Sequence, residues 1–419
     1  MKKDIACIIL AAGKSTRMKS ALPKVMHPLC GRPVLSYVLD LAKALRIKKV
    51  VAVLGHQHAR VKKVIPHGVK IAVQKKLAGT ADAVKEALPL LKGFKGTVLV
   101  LYADHPLLQK DTLSRLLKQH AQNNSDATLL TAKLNKPSGY GRILRDKYAT
   151  ICGIAEEKDA DDFQKGIKEI NAGTACFNKD RLAEALKGVR ANNRKKEYYL
   201  TDVVGIFYKK GLLIDSISTT DAREAQGINS RLDLSKAASI IQQRINEEFM
   251  LRGVTIADPV STFISYGVRI GQDTAIYPFT VIEKNVKIGK RCSIGPFVHL
   301  REGTRIENEV VVGNFLEIAR TSLSSKTLIK HFGYIGDSRI GRQVNIGAGT
   351  VTANFDGRRK YSTIIKDRAF IGSDTVLVAP VCIGRDAETG AGSVVLRHKN
   401  VPDKSVVVGV PAKLLRKKR

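Results

Sequence analysis

A doubly wound α/β domain, joined by one long helix to a parallel β-helix, is the fold class this 419-residue sequence predicts. Three observations carry the prediction. Short, nearly continuous apolar runs alternate with helix-periodic segments over the first ~230 residues. A pattern of apolar residues at three- and four-residue steps occupies 232 to 251, and from residue 270 onward an aliphatic side chain recurs every six positions.

The apolar runs are 5–12 (IACIILAA), 49–54 (KVVAVL) and 97–104 (TVLVLYAD), and strands buried on both faces read this way. Between them lie helical segments such as PVLSYVLDLAKAL, Pro33 to Leu45. Strand–helix alternation predicts a parallel or mixed sheet covered by helices over residues 1–230, with its ligand site at the carboxyl ends of the strands. A linker helix over 231–252 follows from Leu234, Ala237, Ala238, Ile241, Ile245 and Phe249.

The β-helix, 253–419, rests on Ile270, Ile276, Ile282, Ile288, Ile294, Leu300, Ile306, Val312 and Ile318 in unbroken phase. The phase resumes at Ile340 and Ile346 and again from Ile365 through Ile371, Leu377, Ile383, Thr389 and Val395. Glycine often follows the periodic residue (Gly271, Gly289, Gly295, Gly313, Gly341, Gly347, Gly372, Gly384), which reads as a residue permitting tight corners. A coil of three six-residue units has little interior room, so substrates must bind outside it or under loops that leave it. Phase breaks near 319–333 and 353–364 are where such loops are expected, and His331, Tyr334, Asn354 and Lys360 lie at or beside them.

Composition narrows the function. With 44% hydrophobic residues the chain is not disordered, and no apolar run approaches the ~20 residues of a membrane span. The net charge of +33, from 71 basic and 38 acidic residues, favours anionic partners. The basic residues are dispersed and aromatics are only 5%, so no stacking platform for nucleic acid is visible and none is expected as a partner. The six cysteines show no CxxC pair and read as free thiols. The N-terminal MKKDIACIILAAGKS imitates a signal peptide but leads directly into a basic glycine loop, so a buried strand and a cytoplasmic location are expected.

Chemistry concentrates after the first and third apolar runs. Leu10 to Met18 (LAAGKSTRM), followed by Leu22-Pro23-Lys24, offers backbone amides, Gly13 and cations to a polyphosphate, although it is not a Walker A loop. Asp104 closes the third run and brings a carboxylate suited to magnesium to the same end of the sheet.

The string LAAGKSTRM with LPK closely resembles the start of sugar-1-phosphate nucleotidyltransferases. QKKLAGTADAV (Gln74 to Val84), LYADHPLL, PSGYGRI (Pro137 to Ile143), EEKDA (Glu156 to Ala160), EINAGT (Glu169 to Thr174), EYYLTD (Glu197 to Asp202) and GINSRLDL (Gly227 to Leu234) follow in that family's order. The narrower resemblance, over nearly the whole chain, is to the bifunctional uridyltransferase and acetyltransferase family that makes UDP-N-acetylglucosamine. It implies a Rossmann-like nucleotidyltransferase domain and a left-handed β-helix acetyltransferase domain in a homotrimer.

By that resemblance Gly13, Gln74, Gly79 and Thr80 would contact the uracil and ribose of UTP, with Leu10 in the same substrate site. Arg17 and Lys24 would face the triphosphate, Asp104 and Asn229 would hold Mg2+, and Gly139, Glu156 and Asn171 would bind N-acetylglucosamine-1-phosphate.

In the second domain GPFVHLREG (Gly295 to Gly303), VGNFLEI (Val312 to Ile318), KHFGYIGD (Lys330 to Asp337), VNIGAGTVTANFDG (Val344 to Gly357) and IGSDTVLVAPV (Ile371 to Val381) resemble the acetyltransferase half. The resemblance implies His331 as general base, with Glu317 as a supporting carboxylate, and Arg301, Tyr334, Asn345 and Lys360 around glucosamine-1-phosphate. Asn354, Phe355, Ala348, Ser373 and Ala391 would face acetyl-CoA. Two positions depart from the pattern: Ala319 stands where the family has a lysine, with Arg320 beside it, and Phe355 stands in place of a tyrosine. The basic tail (Lys413, Arg416, Lys417, Lys418, Arg419) reads either as a contact for the 3′-phosphate of coenzyme A or as a frayed solvated end, and the solvated end is the expectation. The alternative reading keeps the nucleotidyltransferase and makes the β-helix an oligomerisation or regulatory scaffold.

Overall fold

The first apolar run forms the strand Ile5–Ala11, and the physical meaning of its continuous hydrophobicity lies in its neighbours. Lys49–Leu54 and Thr97–Tyr102 flank it in parallel on either side. Ala6, Ile8 and Leu10 face one apolar core and Cys7, Ile9 and Ala11 the other, so both faces exclude polar residues. In this computed structural model, which describes residues 4–417, the chain divides into two units, Met1–Leu29 with Pro33–Ala237 and Cys30–Arg32 with Ala238–Arg419.

The main path of the first unit's sheet runs in the order Ile214–Ser218, Ala127–Lys133, Glu169–Asn178, Thr97–Tyr102, Ile5–Ala11, Lys49–Leu54, Lys70–Val73. Glu169–Asn178 is antiparallel to both its neighbours, so the sheet is mixed. From the central strand the chain first builds outward to one side and then crosses to the other. The switch point therefore lies between Ile5–Ala11 and Thr97–Tyr102, and a ligand crevice is expected at their carboxyl ends.

The long helix is Arg231–Leu251. Its second half does more than link. Asn246 is buried and donates from Nδ2 to the carbonyls of Pro259 (2.8 Å) and Thr262 (3.0 Å), while Gln242 accepts from the Ile264 amide at 3.1 Å. These two amides satisfy backbone groups at the open first coil of the β-helix, which would otherwise be a bare sheet end. The apolar pattern gave no hint of this, because the residues responsible are polar.

The second unit is a three-faced prism of parallel strands, each pairing with the strand one coil on, as in Ile276↔Ile294 and Ile282↔Leu300. The periodic aliphatic residues fill its interior, apart from the half-buried Ile270. A second inward column stands two residues earlier, with Thr274, Thr280, Val286, Cys292 and Val298 all buried. Threonine hydroxyls there return to the chain, as Thr274 Oγ1 donates to the Gly289 carbonyl at 2.9 Å.

Two expectations need correction. The break near 319–333 is not a loop leaving the coil. Leu323, Ile329, Ile335 and Ile340 continue the buried column, and the phase slips because two units have five residues in place of six. Only the second break emits a loop, between the strands Val351–Ala353 and Thr363–Ile365.

The recurrent glycines are also not corner residues: of the eight, only Gly295 has positive φ (105°). Left-handed corners are held instead by residues such as Phe279 (57°), Asn285 (63°) and Arg291 (53°). What the glycines provide is room between coils. A Cβ on Gly313 would sit 1.9 Å from the Lys330 carbonyl oxygen. Gly313→Ala should therefore cost about 1–3 kcal/mol or more, measured as a lowered unfolding midpoint with no lesion in the first unit's activity.

All six cysteines are free. Among the described residues no helix is long and apolar enough to cross a membrane.

Candidate active site

In the first unit, the basic glycine loop follows directly from the carboxyl end of Ile5–Ala11 and turns at Ser15 (φ 60°) into the short 3-10 helix Thr16–Met18. Leu10, Gly13, Lys24, Gln74, Gly79, Thr80 and Asp104 line one cavity of about 460 Å³, with Lys14, Tyr102 and Glu197 completing the wall. The cavity sits at the switch point.

At the floor formed by Lys24 and Asp104, which line it, Arg17 and Asn229 approach from beside the cavity. Lys24 Nζ pairs with Asp104 Oδ2 and donates to Asn229 Oδ1 at 3.0 Å, and Arg17 Nη2 donates to the same Asn229 oxygen at 2.9 Å. Asn229 is brought there by its backbone, since the Ile228 amide donates to the Asp104 carbonyl at 2.8 Å. Burial pushes the Asp104 carboxyl up, but Lys24 and its hydrogen bond outweigh this and hold it below the usual carboxylate range. Two oxygens focused on one ammonium form a donor pair that a hard divalent cation also accepts. No group of three or more His, Cys, Asp or Glu able to hold a metal exists among the described residues, so the remaining ligands of such an ion would be phosphate oxygens and water.

Beside the floor, the sequence reading missed His105. Its ring stacks on Tyr102 (centroids 5.6 Å apart) and its Nε2 lies 3.7 Å from Asp104 Oδ1. Burial, against the pull of Asp104, keeps the imidazole below its ordinary pKa and hence neutral at pH 7. The only signal was its place next to Asp104 in LYADHPLL.

The upper wall is built on Gly79, whose φ is 125° and whose Cβ would lie 2.3 Å from the Tyr198 carbonyl oxygen. Buried Gln74 donates from Nε2 to the Gly79 carbonyl (3.0 Å) and to Asp82 Oδ2 (2.8 Å). Both bonds engage the amide nitrogen, and Gln74 itself lines the cavity.

Gly139, Glu156 and Asn171 lie outside that cavity. Asn171 lines a small adjacent hollow with Tyr102, Gly173 and Thr201, and Thr201 Oγ1 donates to Glu156 Oε1 at 2.9 Å. Gly139 contributes its amide to the Glu157 carboxylate. Burial raises the Glu156 pKa, partly offset by the Thr201 hydroxyl. Asp202 is pushed up to about 6, by burial first and then by Glu156 and Asp159. An acid raised in the fold is penalised only when ionised. The penalty is absent below the ordinary carboxylate range, grows as pH rises through about 6, and is full above it. Asp202→Asn should therefore raise the unfolding midpoint at pH 8 and leave it nearly unchanged at pH 3, in thermal scans at the two pH values.

In the second unit, one edge of the prism carries a row of predicted residues. Ile329, Ile346, Ile371 and Thr389 stack on successive coils, and His331, Ala348, Ser373 and Ala391 each stand two residues further on. Ser373 and Ala391 line a groove of about 390 Å³ with Phe370 and Glu388. His331 is exposed at the top of this row.

The neighbouring face bears Glu317 and Tyr334 in register. Glu317 accepts from Arg301 Nη1 at 2.9 Å, so its carboxylate serves Arg301. Asn345 opens a strand of a different sheet, paired with Leu328 and Phe370. Asn354 is buried, whereas Phe355 and Lys360 are exposed and bridge across the emitted loop. Ala319 is fully buried. Arg320 does not stand in for the missing lysine, because its guanidinium grips Asp337 with two bonds, Nε–Oδ1 at 2.6 Å and Nη2–Oδ2 at 2.8 Å. Of the basic tail, Lys413–Lys417 forms a strand antiparallel to Ser405–Val408, and Lys418 and Arg419 lie outside the described residues.

Family models match segments of both units. Residues 7–189 match the MobA-like NTP transferase domain; 267–301 and 285–320 match the bacterial transferase hexapeptide (six repeats); and 362–397 match the hexapeptide repeat of succinyl-transferase. The chain is 41% identical over 436 residues to a bifunctional protein GlmU of Desulfitobacterium hafniense, covering 96% of this chain and 95% of that one. It is 43% identical over 413 residues to the protein of that name from Pelotomaculum thermopropionicum, covering 90% of each. The Thermosipho africanus protein of that name is 43% identical over 435 residues, covering 96% of this chain and 94% of its own length.

Proposed function

The chain belongs to the family of bifunctional GlmU proteins, and from that premise we propose that it makes UDP-N-acetylglucosamine in two steps, one in each unit. The β-helix, left-handed as in hexapeptide-repeat acyltransferases, transfers acetyl from acetyl-CoA to glucosamine-1-phosphate. The nucleotidyltransferase unit then joins N-acetylglucosamine-1-phosphate to UTP. The observation that supports this best is the convergence of Arg17, Lys24, Asp104 and Asn229 at the switch point, under a cavity walled by Gln74 and Gly79.

In uridylyl transfer a phosphate oxygen of the sugar attacks the α-phosphorus of UTP and the bond to the bridging oxygen of pyrophosphate breaks. No covalent nucleophile is needed; position and charge neutralisation carry the rate. The Gln74 oxygen accepts from the N3–H of uracil, a donor that cytosine lacks. Lys24 and Arg17 neutralise the triphosphate and the departing pyrophosphate. Asp104 and Asn229 hold magnesium, which supplies further charge neutralisation when bound. Glu156, Asn171 and Gly139 position the sugar and its acetamido group.

In acetyl transfer His331 takes a proton from the sugar amine as nitrogen attacks the acetyl carbonyl carbon. The carbon–sulfur bond breaks, and the imidazolium returns the proton to the coenzyme A thiolate. Arg301, Tyr334, Asn345 and Lys360 bind glucosamine-1-phosphate. Ala348, Ser373 and Ala391 offer a small-residue edge for acetyl-CoA, with Asn354 and Phe355 beside it. We place the enzyme in the cytoplasm as a homotrimer.

Ala319 and the engaged Arg320 favour a second reading in which the β-helix is only a scaffold. One pair of assays on the purified chain separates the two. Thiol release from acetyl-CoA should depend on glucosamine-1-phosphate, and pyrophosphate release should depend on UTP and N-acetylglucosamine-1-phosphate. Pyrophosphate without thiol would leave the scaffold reading.

A further inference from the structure

Arg320, Asp337 and Asn354 occupy the same corner of three consecutive coils, each directly after a strand of one sheet (Leu316–Ala319, Gly333–Gly336, Val351–Ala353). Arg320 and Asp337 take left-handed conformations there, with φ of 51° and 50°. Their side chains form a ladder. Arg320 holds both oxygens of Asp337, at 2.6 and 2.8 Å, and Asn354 Nδ2 donates to Asp337 Oδ2 at 2.5 Å. The same nitrogen lies 3.3 Å from the Tyr334 hydroxyl, and Arg320 interacts with that hydroxyl as well. The Asp337 carboxylate is only 19% exposed and Asn354 is 6% exposed, while the Arg320 side chain, 36% exposed, closes the ladder on its solvent side. Gly336 makes the space: a Cβ there would lie 2.4 Å from the Tyr334 hydroxyl and 2.6 Å from Asn354 Nδ2.

A primary amide has two N–H donors and one carbonyl acceptor, and nothing in its shape chooses which end faces a ligand. An ionised carboxylate accepts only, so Asp337 can bind the Asn354 nitrogen and not its oxygen. Arg320 keeps Asp337 in place and ionised through two charge-assisted bonds.

We propose that Asp337, clamped by Arg320, is a positioning residue for acetyl transfer. It fixes the Asn354 carboxamide with its nitrogen inward, so that the oxygen is the group offered to the N–H of the substrate amine. Arg320 is thus committed to geometry and not to the phosphate of the sugar. The proposal rests on the acetyl-transfer reading above.

Asp337→Asn removes the orienting choice, because an amide at 337 can face Asn354 with either end. In the full chain it should lower kcat for thiol release by about tenfold or more, the loss of one charge-assisted contact, with KM for acetyl-CoA within about twofold. Arg320→Lys, which keeps the charge and loses the fork, should give a smaller fall. The deciding measurement is a double-mutant cycle: in an Asn354→Ala background Asp337→Asn should have no further effect on kcat, since Asp337 acts through Asn354. Additive losses in that cycle, or Asp337→Asn retaining full kcat, would overturn the proposal. Unfolding midpoints and pyrophosphate release identify any variant that misfolds, and Arg320→Lys then carries the test in the same cycle. If the unsubstituted chain releases no thiol, the acetyl-transfer reading fails and this positioning role with it; thiol release that ignores Asp337 and Arg320 defeats the positioning role alone.

Discussion

Asp104→Asn is expected to lower pyrophosphate release by roughly 10²–10³-fold while leaving thiol release unchanged. The substitution is nearly isosteric and keeps one oxygen, so the cavity and the chain path survive; what goes is a full negative charge. That charge is what Lys24 pairs with and what the burial around it would not tolerate without Lys24. Without it the ammonium keeps only neutral oxygen partners, Asn229 Oδ1 among them, and one of two oxygens focused on a cation becomes a weak neutral ligand. The several kcal/mol that a well-held divalent cation contributes to phosphoryl chemistry sets the size of the loss. The loss should shrink as magnesium is raised, because the defect lies in cation retention. A variant with unchanged pyrophosphate release at low magnesium would remove Asp104 from the reaction.

His331→Ala should produce the mirror image. Thiol release falls by roughly 10²–10⁴-fold, the contribution of a positioned general base, and uridylyl transfer is untouched. Because His331 is exposed, the substitution leaves no cavity, and the unfolding midpoint should stay within a degree or so of the parent. KM for acetyl-CoA should change little, since Ser373 and Ala391 in the groove lie two and three coils away. Steady-state rates and a thermal scan on the same preparation test all three statements. Full thiol release without the imidazole would reject His331 as the base.

The two largest features of the fold are legible in the sequence alone. Continuous apolar runs meant strands covered on both faces, and a step of six meant a coil, because in each case burial imposes one local rule on every residue of the element. Residues that follow the rule while being polar escaped notice. Thr274 and Thr280 form part of a second interior column, and Gln242 and Asn246 close the first coil. Their hydroxyls and amides are satisfied by backbone groups that only the folded chain brings near. The same limit explains the mistaken loop near 319–333, where two five-residue units shift the phase without opening the coil.

For the sites the division is similar. The loop after Ala11 and Asp104 could be placed at one end of the sheet in advance because each comes at or just after the end of a strand, and strand ends of such sheets gather on one side. The row His331, Ala348, Ser373 and Ala391 follows from counting coils. No count along the chain pairs Arg17 with Asn229, more than two hundred residues away, or reveals that Arg320 is held by Asp337 and so cannot replace the lysine missing at Ala319. Periodicity reports which side of an element is buried, and that much belongs to the order of the residues alone. Which polar group meets which depends on how separate elements are packed, and an ion pair or a turned amide leaves no periodic trace.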